Sequence, residues 1–248
     1  MSKDKKKKVA IVGFAGTRNL APYDDPTFEI WTVNNLYRFV PRQDRIFQIH
    51  TKAEIFADGQ HRTPEDKQMG AEHWEYLTQT KTPVYMQEKF PEIPAAVRYP
   101  IEDIIEEFGI PRTNETLKDA YFTNSISFML ALAIYEGFEE IEVYGVDMAV
   151  GGEYTEQRPS CEYYLGIAKG RGIRIYLPPE SDLLKAHFMY GYEDEKRSAW
   201  DAKLKKTIEM MQANKYQSDT VIRNQQSVSD KYEGAITALM EMDRTWGQ

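Results

Sequence analysis

The chain has 248 residues and a mass of 28.8 kDa, enough for one large domain or for one domain with an appendage. A net charge of -8 excludes broad, nonspecific nucleic-acid binding, and the single cysteine, Cys161, excludes an intrachain disulfide or a cysteine-based zinc site. No stretch approaches the roughly 20 apolar residues needed to span a bilayer, and SKDKKKK before VAIVGF lacks a signal peptide's apolar region and cleavage site, so a cytoplasmic protein is expected.

Residues 1–8 read as a basic tail, with the run Lys5 to Lys8 solvated. Val9–Phe14 is a short apolar run suited to a strand buried on both faces of a parallel sheet. Gly13 and Gly16 then turn the chain, followed by Thr17 and Arg18. Phe28–Val33 predicts a second strand ending in Asn34-Asn35, and Arg45–His50 a third. Thr63–Thr80 predicts a helix with Pro64 and Glu65 in its first turn, Val84–Met86 a short strand, and Ile101–Phe108 a helix closed by Gly109.

The most informative segment is YFTNSISFMLALAIYEGFEEIEVYGVDM, from Tyr121 to Met148. It reads as a polar helix start, an apolar helix, a glycine turn and a buried strand over Ile141–Gly145. Asn124, Ser125 and Ser127 stand where a helix N-terminus leaves backbone N–H groups for an anion. Asp147 follows the strand at the edge where open α/β sheets bind ligands. Tyr154–Gly170 predicts a helix, with Pro159 as an alternative start, and Ile173–Leu177 a last strand stopped by Pro178-Pro179. Alternating strands and helices predict an α/β, Rossmann-like, mostly parallel sheet over residues 9–192. From Glu193 onward Trp200, Leu204, Ile208 and Met211, then Tyr232, Ile236, Leu239 and Met240, recur at helical spacing. Residues 193–248 therefore read as a helical extension of two amphipathic helices joined around Asn214–Ser218. They would pack on the domain or serve oligomerisation, a homo-oligomer being the partner expected there.

Gly13-Phe14-Ala15-Gly16-Thr17-Arg18 departs from the dinucleotide fingerprint, and the second strand ends in asparagines where that fingerprint wants an acid. The loop still lets backbone amides approach a phosphate, with Arg18 as a charged donor. Asn34, Asn35, Gln48 and His50 fall at predicted strand ends, where amides read a base or sugar. His50 and His187 are the two candidates for a general base, while His61 and His73 look like surface residues. Asp24-Asp25 reads as a turn or cap, so no metal site and no cofactor are expected. Tyr154, Arg158, Glu162 and Tyr163 would close over a ligand, with Gly151-Gly152 supplying mobility.

The glycine loop, WTVNNLY and TNSISFMLALAIYEGFEEIEVYGVDM together resemble the Rossmann-like fold of bacterial sialyltransferases. They are also similar to the unknown-function domain grouped with archaeal pterin diphosphokinases. With its helical tail, the chain further resembles uncharacterised bacteriophage proteins. The resemblance covers roughly Val9–Leu177. It implies a nucleotide-binding role for Asn34, Ser125 and Asp147, with Tyr154 and Tyr163 on the phosphate side, and makes His187 the nearest counterpart of the catalytic histidine. The resulting expectation is a metal-independent glycosyltransferase. It would take a nucleotide-sugar and act on a glycan or modified DNA. A non-catalytic nucleotide sensor or sponge, for an ADP-ribose derivative or cyclic dinucleotide, is the alternative. A phosphoribohydrolase would rely on Glu162, and a scaffold on the C-terminal helices.

Overall fold

A computed structural model describes residues 7–56, 63–110, 120–149, 153–186, 189 and 197–246. Seven parallel strands form one sheet: β1 (Lys8–Val12), β2 (Phe28–Val33), β3 (Arg45–Gln48), β4 (Val84–Met86), β5 (Ala96–Arg98), β6 (Glu140–Tyr144) and β7 (Arg174–Tyr176). Their order is β5-β4-β3-β2-β1-β6-β7. The helices are α1 (Lys52–Ile55), α2 (Pro64–Gln79), α3 (Ile101–Phe108), α4 (Ser125–Tyr135), α5 (Arg158–Gly170) and α6 (Arg197–Trp246). The chain divides into two compact units, Met1–Lys185 and Ala186–Gln248.

β1 sits between β2 and β6, and Val9, Ala10, Ile11 and Val12 are wholly buried. Successive side chains point to opposite faces. Val9 and Ile11 join Trp31, Phe47 and the apolar sides of α3, α4 and α5. Ala10 and Val12 join Phe28, Ile30, Leu36 and Tyr144 on the other face. α4 is apolar on nearly every side because the sheet covers one flank and α3 and α5 the others. α2 closes the far end of the sheet, where Trp74 and Leu77 pack on Ile46, Val84 and Met86.

Among the differences from the sequence expectation, two concern elements and one a side chain. β5 carries no long apolar run; it is a three-residue edge strand between Pro94 and Pro100, ordered by pairing with β4. α6 is one continuous helix of 50 residues, not two. Asn214–Ser218 contains no proline or glycine, and the weak helix propensity of Asn and Ser, a few tenths of a kcal/mol each, does not break a helix. The third difference is His73. It is 6% exposed, not a surface residue, and its Nε2 donates to Gln48 Oε1 at 2.8 Å.

That bond leaves Nδ1 of His73 buried without a partner, and the ring stacks near Tyr37. Burial, helped by the charge of Arg38, lowers the pKa from 6.5 to about 4. The native state therefore holds a neutral imidazole that the unfolded chain protonates below 6.5. Stability is complete above 6.5 and falls as the pH drops from there towards about 4, by on the order of 3 kcal/mol. Urea titrations across this range should show the decline, and His73→Gln should flatten it. An unchanged slope in the variant would assign the acid sensitivity elsewhere.

Candidate functional site

The strand order reverses direction at β1. Chain leaving β1 proceeds towards β2 and β5, whereas β6 and β7 build outward on the other side. The loops after β1 and β6 therefore part at their carboxyl ends and leave a crevice, the usual ligand position in such sheets. Here it is a cavity of about 300 Å³. Gly13, Phe14 and Ala15 line it from the loop after β1, and Val33 from the end of β2. Ile126 enters from the first turn of α4, and Gly145 to Ala149 from the loop after β6.

Two glycines bring these loops together. A Cβ on Gly13 would stand 2.5 Å from the Gly145 carbonyl oxygen, and one on Gly145 would stand 2.3 Å from the Gly13 oxygen. Gly145 also has φ +64. Gly13 N donates to Tyr144 O at 2.8 Å and Ala15 N to Gly145 O at 2.9 Å. Thr17 is buried, and its Oγ1 accepts from Gly145 N at 2.7 Å. Thr17 thus joins the two loops and lines no part of the cavity. Gly16 is exposed, with open space around it. Arg18 folds back on its own loop: Nη1 donates to Phe14 O at 2.6 Å, and the guanidinium lies over Phe39. It fixes the loop's shape while keeping a positive charge beside it.

Asn34 follows Val33 in a left-handed conformation, φ 49, with its Oδ1 buried and unpartnered. Its N–H donates to Phe47 O, which ties the end of β2 to β3. Asn35 caps a short 3-10 turn over Leu36–Arg38 without a side-chain bond to it. Asp147 projects into the cavity lining, and its Oδ1 is also buried without a partner. Burial raises its pKa above 3.8; Asp182 and Glu180 add to this, while the Thr17 hydroxyl works the other way.

Asn124 is the N-cap of α4. Its Oδ1 accepts from Ser127 N at 3.1 Å, and its Nδ2 donates to Gln157 O and Ser160 Oγ. Ser127 is fully buried, its hydroxyl donating to Asn124 O. These two residues build the helix start and anchor it to α5. The N–H groups of Ser125 and Ile126 belong to the first turn, which has no intrahelical acceptor for them, and Ile126 faces the cavity.

Arg158, Tyr163 and His50 are not among the residues lining this cavity. Arg158 begins α5, where its Nε donates to Glu162 at 2.7 Å and its Nη2 to Lys185 O, bracing the chain after β7. Tyr163 turns towards α3, its hydroxyl 3.5 Å from Phe108 O and its ring against Tyr121. Tyr154 falls in a π-helical turn, Glu153–Gln157. His50 is exposed just past β3, with Nδ1 3.9 Å from Glu54. His187, His61 and Gly151-Gly152 lie outside the described residues. Among the described residues, no group of His, Cys, Asp and Glu gathers to hold a metal ion. Nor is any helix among them long and apolar enough to cross a membrane.

Sequence reasoning missed Ser181 and Asp182. Because β7 pairs with β6, the chain after β7 returns beside the chain after β6. Asp182 N donates to Asp147 O, and Ser181 Oγ to Val146 O. Only knowledge of the strand order would have revealed this. A larger cavity, about 480 Å³, was also missed; it lies past β3, β4 and β5. Ile49, Gln87, Arg98, Tyr99, Phe122 and Phe128 line it, with an Arg98–Glu102 ion pair at its rim. α4's first turn therefore presents Ile126 to one cavity and Phe128 to the other.

No family model matches the chain, and no curated protein matches it. Among solved structures it is similar to the sialyltransferase CstII from Campylobacter jejuni in complex with the substrate analogue CMP-3FNeuAc. That likeness has a TM-score of 0.44 and 16% identity, covering 71% of this chain and 82% of that one. The same enzyme with cytidine-5'-monophosphate gives a TM-score of 0.42 and 16% identity, over 71% and 81% of the two chains. The sialyltransferase CST-II with a trisaccharide acceptor and CMP gives 0.42 and 15%, over 69% and 80%.

Proposed function

We propose that the chain is a nucleotide-sugar-dependent glycosyltransferase that holds its donor in the crevice between the carboxyl ends of β1 and β6. The observation that carries this reading is convergence on one cavity. A glycine-tight loop, a carboxylate with one buried oxygen left without a partner and the start of an eleven-residue helix all meet there. The donor's phosphates meet the Ser125 and Ile126 N–H groups and the positive end of α4. Asp147 Oδ1 accepts from ribose hydroxyls, and Asn34 Oδ1 from the base or ribose.

The acceptor, a glycan or a modified nucleotide of DNA, takes the larger cavity across the first turn of α4. His50 follows Ile49, which lines that cavity, and is assigned as the base on the acceptor side. His187 is the alternative base. In the transfer, the base takes the acceptor hydroxyl proton as that oxygen bonds to the anomeric carbon. The bond to the phosphate oxygen breaks, and its electron pair leaves with the nucleotide, where the helix start stabilises the charge.

Native mass spectrometry with a panel of nucleotides and nucleotide-sugars, run in EDTA and repeated after denaturation, tests this. Binding with release of free sugar is expected, in the chelator as without it. Ligand returned intact would instead identify a sensor or sponge. No binding by any member would reject the crevice as a nucleotide site.

A further inference from the structure

α6 runs unbroken from Arg197 to Trp246, about 75 Å. A helix holds its form in water chiefly by covering an apolar face. Its apolar side chains from Leu204 onward are exposed, from 42% at Leu204 to 85% at Trp246. They repeat at about 3.5 residues, the spacing of a coiled-coil seam. Ile208, Lys215, Ile222, Ser229 and Ile236 occupy one heptad position. Leu204, Met211, Ser218, Gln225, Tyr232 and Leu239 occupy the other. The seam is thus apolar near both ends and mostly polar between, so it reads nearly the same in either direction.

We propose that α6 pairs antiparallel with α6 of a second copy of this chain. The two-fold axis passes between the two layers formed by Ile222 and Gln225. In this register Ile208 meets the partner's Leu239, Met211 the partner's Ile236, and Ser218 the partner's Ser229. Lys215 lies against the partner's Tyr232, its aliphatic stem and charge both suited to an aromatic ring. Beside the central layers, Val221 flanks the partner's Val228. An isologous interface requires such self-complementarity, because every contact is made twice.

Charge selects the direction. Residues 203–215 hold four lysines and one glutamate, net +3, whereas residues 232–244 hold three acids and one arginine, net -2. The antiparallel register sets these segments against each other. A parallel pair would oppose like with like in both of these segments. It would also place Lys215 against the partner's Lys215 in the seam and Val228 beside the partner's Glu233.

Sedimentation equilibrium of the full chain should give a dimer at micromolar concentration, and Ile208→Asp with Ile236→Asp should give a monomer. Ser218→Cys and Ser229→Cys test the direction. Each alone should resist oxidative cross-linking, and an equimolar mixture of the two should form a disulfide-linked dimer. Cys161 stays out of this reaction, since burial pushes its thiol up to about 12. A monomeric wild type, a dimer that survives the double aspartate variant, or self-cross-linking of either single cysteine variant would each overturn the proposal.

Discussion

Gly145→Ala should destabilise the sheet-bearing unit by about 3 kcal/mol, combining backbone strain with overpacking. The residue has φ +64, a conformation that costs any L side chain. Its Cβ would stand 2.3 Å from the Gly13 oxygen and 2.7 Å from the Gly13 carbonyl carbon. Neither atom belongs to a side chain that can swing away. Relief requires the two loops to separate, which would break the Thr17–Gly145 bond and widen the cavity. Ligand binding should therefore fall with stability. Gly16→Ala is the control, since nothing lies within 4 Å of its Cβ position. Urea midpoints of the two variants decide the matter. An unchanged midpoint for Gly145→Ala would show that the close crossing of the loops is not needed.

Asp147→Asn should separate stability from function. The native state binds this proton more tightly than the unfolded chain, because burial, Asp182 and Glu180 all raise the pKa above 3.8. Ionisation therefore costs stability as the pH rises from 3.8 through the raised value, and above that value the cost is present in full. The amide removes it, so the variant should be at least as resistant to urea as wild type. Donor binding should weaken roughly 10- to 100-fold, the loss of a hydrogen bond to a charged acceptor. Wild-type binding should also strengthen as the pH rises through the Asp147 titration, and the variant should lack that dependence. Calorimetric titration over pH measures both. A variant that binds as wild type does would remove Asp147 from the site.

Much of the fold was legible because its central strands are buried on both faces. Val9–Val12 are apolar and wholly buried, and in β6 Ile141 and Val143 are buried on either side of a half-buried Glu142. The polar helix start at Asn124 was legible for a local reason, since the bond that caps it, from Ser127 N to Asn124 Oδ1, spans three residues. Long-range placement was not. His73 is buried because Gln48, 25 residues earlier, stands opposite it, and no local pattern records that meeting. Helical spacing placed Arg158 and Tyr163 on α5 but gave no direction for either side chain. One is held by Glu162 and the other turns towards Phe108. Gly13 and Asp147 reach the cavity because each follows a strand at the reversal point. Ser181 and Asp182 reach the adjoining loop only through the pairing of β7 with β6.

The most direct measurement is nucleotide release from a panel of nucleotide-sugars in EDTA, followed by phosphorus NMR for wild type and Asp147→Asn side by side. The account predicts that wild type liberates nucleotide and free sugar from at least one donor. The variant, equally folded, should do so at least tenfold more slowly at subsaturating donor. Donors that remain intact with both proteins, or equal release by the two, would contradict it.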